Sequence, residues 1–201
     1  MGCTMSVKEW WDNCHKTNNE KYLTGTNLES YKIHYQLSNE DIDNADVFLE
    51  VGIGLGTAIR DLHIKSKTVY AVDISEEALA KVGDVAITYN INDIAELPTN
   101  TIDIAFCHLV FQHTDKKNIE VIIENVLKSL SMDGKFCIQF ADAPGRNEES
   151  DLCKEKGGML YSRDEILEIV YRCNGKILWE PAIQKFDFTQ AWWHKIVLRK
   201  V

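Results

Sequence analysis

The sequence predicts an α/β fold: a doubly wound, mostly parallel seven-stranded sheet with helices on both faces and one antiparallel strand near the C-terminus. Three observations predict it. Short strands alternate with helical segments between residues 46 and 140. The strands are mainly apolar, as in a parallel sheet covered by helices, and right-handed crossovers make such a sheet doubly wound. The last two strands have no helix between them, so we expect them to pair antiparallel.

Two helices are predicted ahead of the sheet. Residues 6–16 place Trp10, Trp11 and Cys14 at helical spacing, and residues 27–38 carry a second set of apolar positions with that spacing. We expect this N-terminal part to form a helical segment that covers the substrate.

Strands and helices then alternate along the chain. The predicted strands are Val47–Val51, Thr68–Asp73, Val85–Ile91, Ile102–Cys107 and Lys135–Phe140. The predicted helices are Thr57–Leu62, Ser75–Val82 and Lys116–Leu130. The third helix has an apolar stripe formed by Ile119, Ile122, Ile123, Val126, Leu127 and Leu130. Asp133 and Gly134 are predicted to turn the chain into the strand that follows.

A polar loop over residues 141–161 precedes the C-terminal elements. Ser162 and Glu165 form a capping-box pattern, which predicts a helix over Asp164–Cys173. The two closing strands are predicted over Lys176–Trp179 and Trp192–Leu198. Two adjacent tryptophans begin the last strand, so one must face away from the core. An exposed tryptophan there is a candidate surface for a homodimer or a substrate.

Length and charge bound the function. A chain of 201 residues is most simply one domain, with an N-terminal segment at 1–40, a core at 46–140 and a closing part at 141–201. The net charge of −9 argues against nucleic acid, because phosphate binding needs a positive surface. No run approaches the ~20 apolar residues that span a bilayer, and no secretory signal begins the chain.

The six cysteines are scattered, without a Cys-x-x-Cys pair. Cys107 and Cys137 lie in apolar strands and are predicted to be small buried hydrophobic residues. This usage indicates a reducing cytosol, a cytoplasmic protein and no metal site. Residues 1–6 also match the N-myristoylation pattern, but no polybasic segment adjoins them, so we favour an unmodified N-terminus.

One segment carries most of the functional information. Residues 46–56 form an apolar strand that runs directly into Glu50-x-Gly52-x-Gly54-x-Gly56. Glycines leave the backbone without side chains, so a ligand can lie against it. The helix that follows points its N–H groups and positive end at that ligand. We therefore expect a nucleotide-like cofactor here.

The glycine spacing separates the candidate cofactors. A dinucleotide fingerprint would need glycine at position 57 or 59, where the chain has Thr57 and Ile59, and no Gly-Lys-Ser/Thr completes a P-loop. The pattern acid-x-Gly-x-Gly-x-Gly resembles that of the class I S-adenosylmethionine-dependent methyltransferases. The resemblance extends over about residues 46–140 and continues in the terminal strand pattern.

The resemblance implies a nucleoside site. Asp73 ends the second strand, 21 residues after Gly52, where a carboxylate can accept hydrogen bonds from both ribose hydroxyls. By the resemblance, Ile74 packs on the adenine, Asp93 accepts from its amine, and the Ile94 N–H meets the ring edge. The alternatives are that Asp73 caps the next helix and that Asp93 is a turn residue.

The resemblance also assigns the end of the fourth strand. It implies that the backbone at Cys107 and His108 lies beside the methionine part of S-adenosylmethionine, with S-adenosylhomocysteine as the product. The family has a histidine after glutamate or glutamine beyond this strand, matched here by His113. Residues 127–134 resemble the helix and turn before the fifth strand, although Met132 replaces a usual proline.

Methyl transfer needs an aligned nucleophile, exclusion of water and, for a hydroxyl, removal of a proton. His113 is the first candidate for that base, with His15 and His194 as alternatives, whereas His108 is expected to contribute its backbone. The competing interpretation is that His113 packs under its loop and bonds to backbone. Glu50 favours a cationic cofactor through its charge. The candidate substrate residues are Trp11, His15, Tyr22, Phe111, Arg146 and Tyr161.

Absent motifs narrow the methyl acceptor. No Asn-Pro-Pro-aromatic follows the fourth strand, which disfavours adenine amines, and no Pro-Cys nucleophile is present, which disfavours cytosine carbon. A small molecule is therefore favoured, with transfer to oxygen over nitrogen: a sugar, a natural-product intermediate or a metabolite. The alternatives are a protein side-chain methyltransferase, a non-catalytic S-adenosylmethionine-binding module and a nicotinamide oxidoreductase.

Overall fold

The computed structural model describes residues 6–18, 23, 25–65, 67–142, 159–180, 184–185 and 192–201. The chain divides into two compact units, Met1–Leu97 and Pro98–Val201. The N-myristoylation pattern, except for Ser6, and most of the predicted loop at 141–161 lie outside the described residues.

The first unit combines helices with a parallel sheet. Its helices are α1 (Val7–Lys16), α2 (Leu28–Tyr35), α3 (Asn39–Asn44), α4 (Thr57–Ile64) and α5 (Glu76–Val82). Its strands are β1 (Val47–Val51), β2 (Thr68–Asp73) and β3 (Ile87–Asn90), and a 3-10 helix follows at Ile91–Glu96. The strands pair in the spatial order β3-β2-β1, all parallel.

Capping side chains explain where the sequence prediction was too long. The helix predicted over 27–38 ends at Tyr35, after which Gln36 takes a left-handed conformation with φ 51. Ser38 then opens α3 with a capping box, so a separate helix forms that the periodicity did not reveal. The strand predicted over 85–91 was also wrong at both ends. The Val85 N–H bonds to Val82 in the turn after α5, and Asn90 caps the 3-10 helix that follows.

The second unit contains the remaining elements. Its strands are β4 (Ile102–Cys107), β5 (Leu130–Asp142), β6 (Gly175–Trp179), β7 (Gln184–Lys185) and β8 (Trp192–Lys200). Its helices are a 3-10 turn (Phe111–His113), α6 (Lys116–Ser129) and α7 (Arg163–Arg172). Strands β4 and β5 are parallel, whereas β8 runs antiparallel to β5, to β6 and to the two-residue β7.

The start of β5 differs from the sequence prediction. Residues 133–134 were expected to turn the chain into a strand beginning at Lys135, but β5 begins at Leu130. Pairing jumps from Ile102 with Leu130 to Ile104 with Lys135, so the intervening residues form a bulge. A Cβ on Gly134 would lie 2.7 Å from the Ile102 carbonyl oxygen, which explains the glycine in the bulge.

The predicted fold class is confirmed. The seven longer strands are the predicted ones, mostly parallel, with the antiparallel β8 near the C-terminus. The predicted stripe on α6 is buried, as are Cys107 and Cys137. Within the described part of the chain, none of the helices has the length and apolar character needed to cross a membrane.

A partly buried polar cluster connects the end of β5 with β8 and α7. His194 stacks on Phe140 at 4.9 Å, and its Nε2 lies 3.3 Å from Asp142 Oδ2. Arg163 donates its backbone N–H to Asp142 and two guanidinium N–H groups to Glu180, at 2.8 and 2.6 Å. Such a network adds little net stability, because the cost of removing its charged groups from water offsets their attraction. His194, an alternative base in the sequence, is held inside it.

Candidate functional site

The loop after β1 exposes a backbone that only glycine adopts easily. Gly52, Gly54 and Gly56 have φ values of 74, 52 and 69, all in the left-handed region. The Gly52 N–H donates to the Val72 carbonyl at 2.8 Å and so continues the β1–β2 ladder. The Gly56 N–H donates to Ile53 at 2.8 Å and closes the turn into α4. The glycine-rich turn predicted from the sequence is therefore present.

Gly56 is required for a second reason. A Cβ at this position would lie 2.4 Å from Val82 Cγ1 on α5, well inside van der Waals contact. Gly25, before α2, is similarly close to the turn, because its Cβ would meet Thr57 Oγ1 at 2.9 Å. Neighbouring elements therefore pack directly on this backbone.

Asp73 lies at the end of β2 and is 8% exposed. Its Oδ2 accepts from the Ile53 N–H and its Oδ1 from the Ser75 N–H, each at 2.9 Å. Burial raises the pKa of this carboxyl to about 6, against these hydrogen bonds, which lower it. Each oxygen keeps a further lone pair for a ligand hydroxyl. Asp73 thus braces both the glycine turn and the start of α5, and ribose binding stays a prediction.

Glu50, at the penultimate position of β1, is 3% exposed. Its Oε1 accepts from the Tyr31 hydroxyl at 2.6 Å, whereas no described residue donates to the buried Oε2. Burial raises the pKa of Glu50 to about 8; the Tyr31 hydrogen bond lowers this pKa and the nearby Asp73 charge raises it. An uncompensated buried carboxylate oxygen is costly unless a ligand donates to it.

These residues of the first unit fit a cationic nucleoside. The orphaned Glu50 oxygen suits an ammonium group, the glycine turn gives bare backbone, and Asp73 offers acceptors for hydroxyls. Ile74 is half-buried, Ile94 is buried, and Asp93 is exposed on the 3-10 helix after β3. The adenine contacts assigned to these three residues stay predictions.

Helix α1 is fixed to the start of α5 by contacts that the sequence did not reveal. Asp12 accepts from the Ser75 hydroxyl at 2.7 Å, directly beyond Asp73 and Ile74. Neither residue belongs to a motif, and only the fold brings them together. The pairing of Tyr31 with Glu50 was missed for the same reason.

The substrate candidates of the first unit lie on or after α1. Trp11 is half-buried and packs edge-to-face on Trp10 at 4.6 Å. His15 is 2% exposed, its carbonyl accepts from Lys81 at 2.7 Å, and burial lowers the pKa of its imidazole. Tyr22 and, in the second unit, Arg146 lie outside the described residues. Substrate contact stays a prediction for all four candidates.

In the second unit, the turn after β4 has an unusual backbone. Cys107 is fully buried and His108 is 8% exposed. The next residue, Leu109, has φ 59, a left-handed conformation that costs a non-glycine residue ~1–2 kcal/mol. Strain of this kind clusters at functional sites. It therefore supports the prediction of a functional turn here, although the ligand contacts of Cys107 and His108 stay predictions.

His113 is half-buried on the 3-10 turn that follows. The backbone on each side of it is held by the segment before α7. Met159 N–H donates to the Gln112 carbonyl at 2.5 Å, and the Tyr161 hydroxyl donates to the Thr114 carbonyl at 2.6 Å. This turn is thus held at two points beside the histidine. Phe111, on the same turn, is fully buried.

Comparison with known proteins finds one matching family model. Residues 49–138 match the model of a family described as "Methyltransferase domain". No curated protein matches the chain.

Several solved structures share the fold. Magnesium protoporphyrin IX methyltransferase from Synechocystis PCC 6803, with bound SAH, is 16% identical, with 97% of this chain and 98% of that chain covered and a TM-score of 0.65. The [4+2]-cyclase SpnF is 12% identical, with coverage of 98% and 95% and a TM-score of 0.72. Geranyl diphosphate C-methyltransferase from Streptomyces coelicolor A3(2) is 11% identical, with coverage of 78% and 70% and a TM-score of 0.61.

Proposed function

We propose that this chain is a class I S-adenosylmethionine-dependent methyltransferase that methylates an oxygen of a small molecule such as a sugar, a natural-product intermediate or a metabolite. S-adenosylmethionine is its methyl donor and S-adenosylhomocysteine its product. The observation that carries the proposal is a pair of buried carboxylates, Glu50 and Asp73, beside three left-handed glycines.

Each candidate cofactor-binding residue of the first unit has a stated role in this proposal. The free oxygen of Glu50 takes the ammonium group, and Asp73 takes the ribose hydroxyls. Ile74 packs on the adenine, while Asp93 and the Ile94 N–H bind its polar edge. Charge-assisted bonds of this kind are worth ~1.5–3 kcal/mol each, so the two carboxylates supply much of the affinity.

The bound cofactor supplies a methyl group that its sulfonium has already activated. The chain must therefore orient the acceptor and keep water out, and orientation alone contributes up to ~7–11 kcal/mol. We assign to the backbone of Cys107 and His108 the wall of the site beside the methionine part of the cofactor. A hydroxyl acceptor must also lose its proton, and we assign that step to His113.

The acceptor is proposed to be small for two reasons. The net charge of −9 disfavours polyanionic partners, and two similar structures carry the names of small acceptors, geranyl diphosphate and magnesium protoporphyrin IX. Residues 1–40 serve as the covering segment in this proposal. The contacts are assigned to Trp11, His15, Tyr22, Phe111, Arg146 and Tyr161.

Product analysis tests the reaction. Purified protein is incubated with S-adenosylmethionine and three acceptor panels: hydroxyl compounds, amines and carbon acids. We expect S-adenosylhomocysteine to accumulate with hydroxyl compounds, together with a product that is one methyl group heavier by mass spectrometry. Turnover with amines or carbon acids alone would contradict transfer to oxygen. Methylation of intact proteins alone would contradict the small acceptor.

A second candidate function comes from one neighbour. The structure named as a [4+2]-cyclase shares the fold at a TM-score of 0.72. This chain would then bind S-adenosylmethionine as a non-catalytic module with respect to methyl transfer. Calorimetric binding of S-adenosylhomocysteine without turnover in any acceptor panel would favour that function.

The proposed base gives a separate prediction. We expect His113→Ala to lower kcat on a hydroxyl acceptor by about 10²–10⁴-fold, because it removes the group that takes the proton. The Kd for S-adenosylhomocysteine should change less than about twofold. The matched control is His63→Ala, which removes an exposed imidazole on α4. Wild-type turnover in His113→Ala would remove His113 as the base.

A further inference from the structure

Tyr31 and Glu50 form a buried pair whose purpose the fold alone does not explain. Tyr31 is 2% exposed on α2, and its hydroxyl donates to Glu50 Oε1 at 2.6 Å. This tyrosine belongs to no recognised motif of the sequence. A single strong hydrogen bond satisfies one carboxylate oxygen and leaves the other, Oε2, buried without a described donor.

We propose that Tyr31 is a positioning residue for the cofactor: by holding Oε1 of Glu50, it directs Oε2 as the acceptor for the ammonium group. This inference rests on the proposed function. Tyr31 acts through Glu50, and this role makes α2 part of the cofactor site.

The surroundings of Tyr31 fix its hydroxyl in place. The N-terminus of α2 is anchored to α4, because the Leu28 N–H donates to Asp61 Oδ2 at 3.1 Å. The Tyr31 ring packs on the buried ring of Tyr35 at 6.2 Å. The approach of Gly25 to Thr57 joins the same segment to the glycine turn. A side chain held this firmly loses little entropy when its partner binds a ligand.

The pair also sets the charge of the site. The ionisable groups that act on Glu50 are Tyr31 on α2 and Asp73 on β2, and burial is the largest influence. The Tyr31 hydrogen bond favours the ionised carboxyl, which an ammonium ligand requires. Without it, Glu50 holds its proton more tightly and the ligand must displace that proton. Affinity for an ammonium ligand should then reach its plateau only at higher pH.

Two nucleosides separate this role from a merely structural one. S-adenosylhomocysteine carries the ammonium group, whereas 5′-methylthioadenosine has the same adenosine and lacks the amino-acid part. We expect Tyr31→Phe to weaken S-adenosylhomocysteine about 5–15-fold, close to the net value of one ordinary hydrogen bond because Tyr31 acts only through Glu50, and to leave 5′-methylthioadenosine within about twofold. Titration calorimetry between pH 6 and 9.5 should show that the affinity of the variant for S-adenosylhomocysteine reaches its plateau at a higher pH than that of the wild type.

Tyr35→Phe is the matched control, because it removes the same atom from the neighbouring buried ring. It should retain the wild-type profile for both nucleosides. Equal weakening of both nucleosides by Tyr31→Phe, or no change in either, would overturn the inference while leaving the proposed function intact. If the wild-type protein binds neither nucleoside, the proposed function fails and this inference fails with it.

Discussion

Replacing Asp73 by alanine should weaken S-adenosylhomocysteine by at least about 100-fold. The change removes two charge-assisted acceptors for the ribose, each worth ~1.5–3 kcal/mol, and every ~1.4 kcal/mol is tenfold in Kd. It also leaves the Ile53 and Ser75 N–H groups without their acceptor, so the glycine turn loses its brace. The measurement is calorimetric titration of the folded variant.

The fold should survive this change. We expect a lower but still cooperative unfolding transition, with ~1–3 kcal/mol lost for each unsatisfied buried N–H group. Asp84→Ala is the control, because this carboxylate is mostly exposed and forms a surface pair with Arg60 at 3.7 Å. Asp73→Asn should fall between alanine and the wild type. Affinity within twofold of the wild type in Asp73→Ala would contradict the ribose assignment.

The strands whose first and last residues could be predicted are those with strong local signals. Strands β1, β2 and β4 are short, mainly apolar runs, and their ends match the prediction. Helix α7 begins one residue before the predicted start because Ser162 and Glu165 form the expected capping box. Where a local side chain decides the outcome, as Asn90 does after β3, periodicity alone fails.

The candidate site divides in the same way. The glycines and Asp73 could be predicted because each lies at the end of a strand, within a short stretch of sequence that shows a recognisable pattern. The hydrogen bonds of Tyr31 with Glu50 and of Ser75 with Asp12 could not be predicted, because each joins residues far apart along the chain that only the packing of a helix brings together. Nor could the sequence reveal the protonation of Glu50, which depends on burial by the surrounding elements.

That burial makes Glu50→Gln the most informative test of the site's charge. In the folded protein without ligand, the pKa of Glu50 is raised from an ordinary value of 4.5 to about 8. A raised pKa contributes stability that is fully present below the ordinary value and is lost as pH rises through about 8. The wild type should therefore become less stable by a few kcal/mol between pH 5 and pH 8.5, at ~1.4 kcal/mol for each pKa unit.

Glutamine is close in shape to the protonated carboxyl and cannot ionise. Glu50→Gln should therefore lose most of this pH dependence and be more stable than the wild type at pH 8.5. Asp73, whose pKa is raised to about 6, contributes a smaller slope of the same sign and keeps it in the variant. Urea unfolding at pH 5, 7 and 8.5 measures the difference, with the exposed Glu96→Gln as control.

Binding of the ligand should reverse the order of stability of the wild type and Glu50→Gln. An ammonium group beside the ionised Glu50 compensates its burial, so saturating S-adenosylhomocysteine should stabilise the wild type more than Glu50→Gln at pH 7.5. The neutral variant should bind this ligand at least about tenfold more weakly and bind 5′-methylthioadenosine as the wild type does. Equal stabilisation of the wild type and Glu50→Gln by the ligand would contradict the assignment, since it would mean that the buried carboxylate meets no cation in the cofactor.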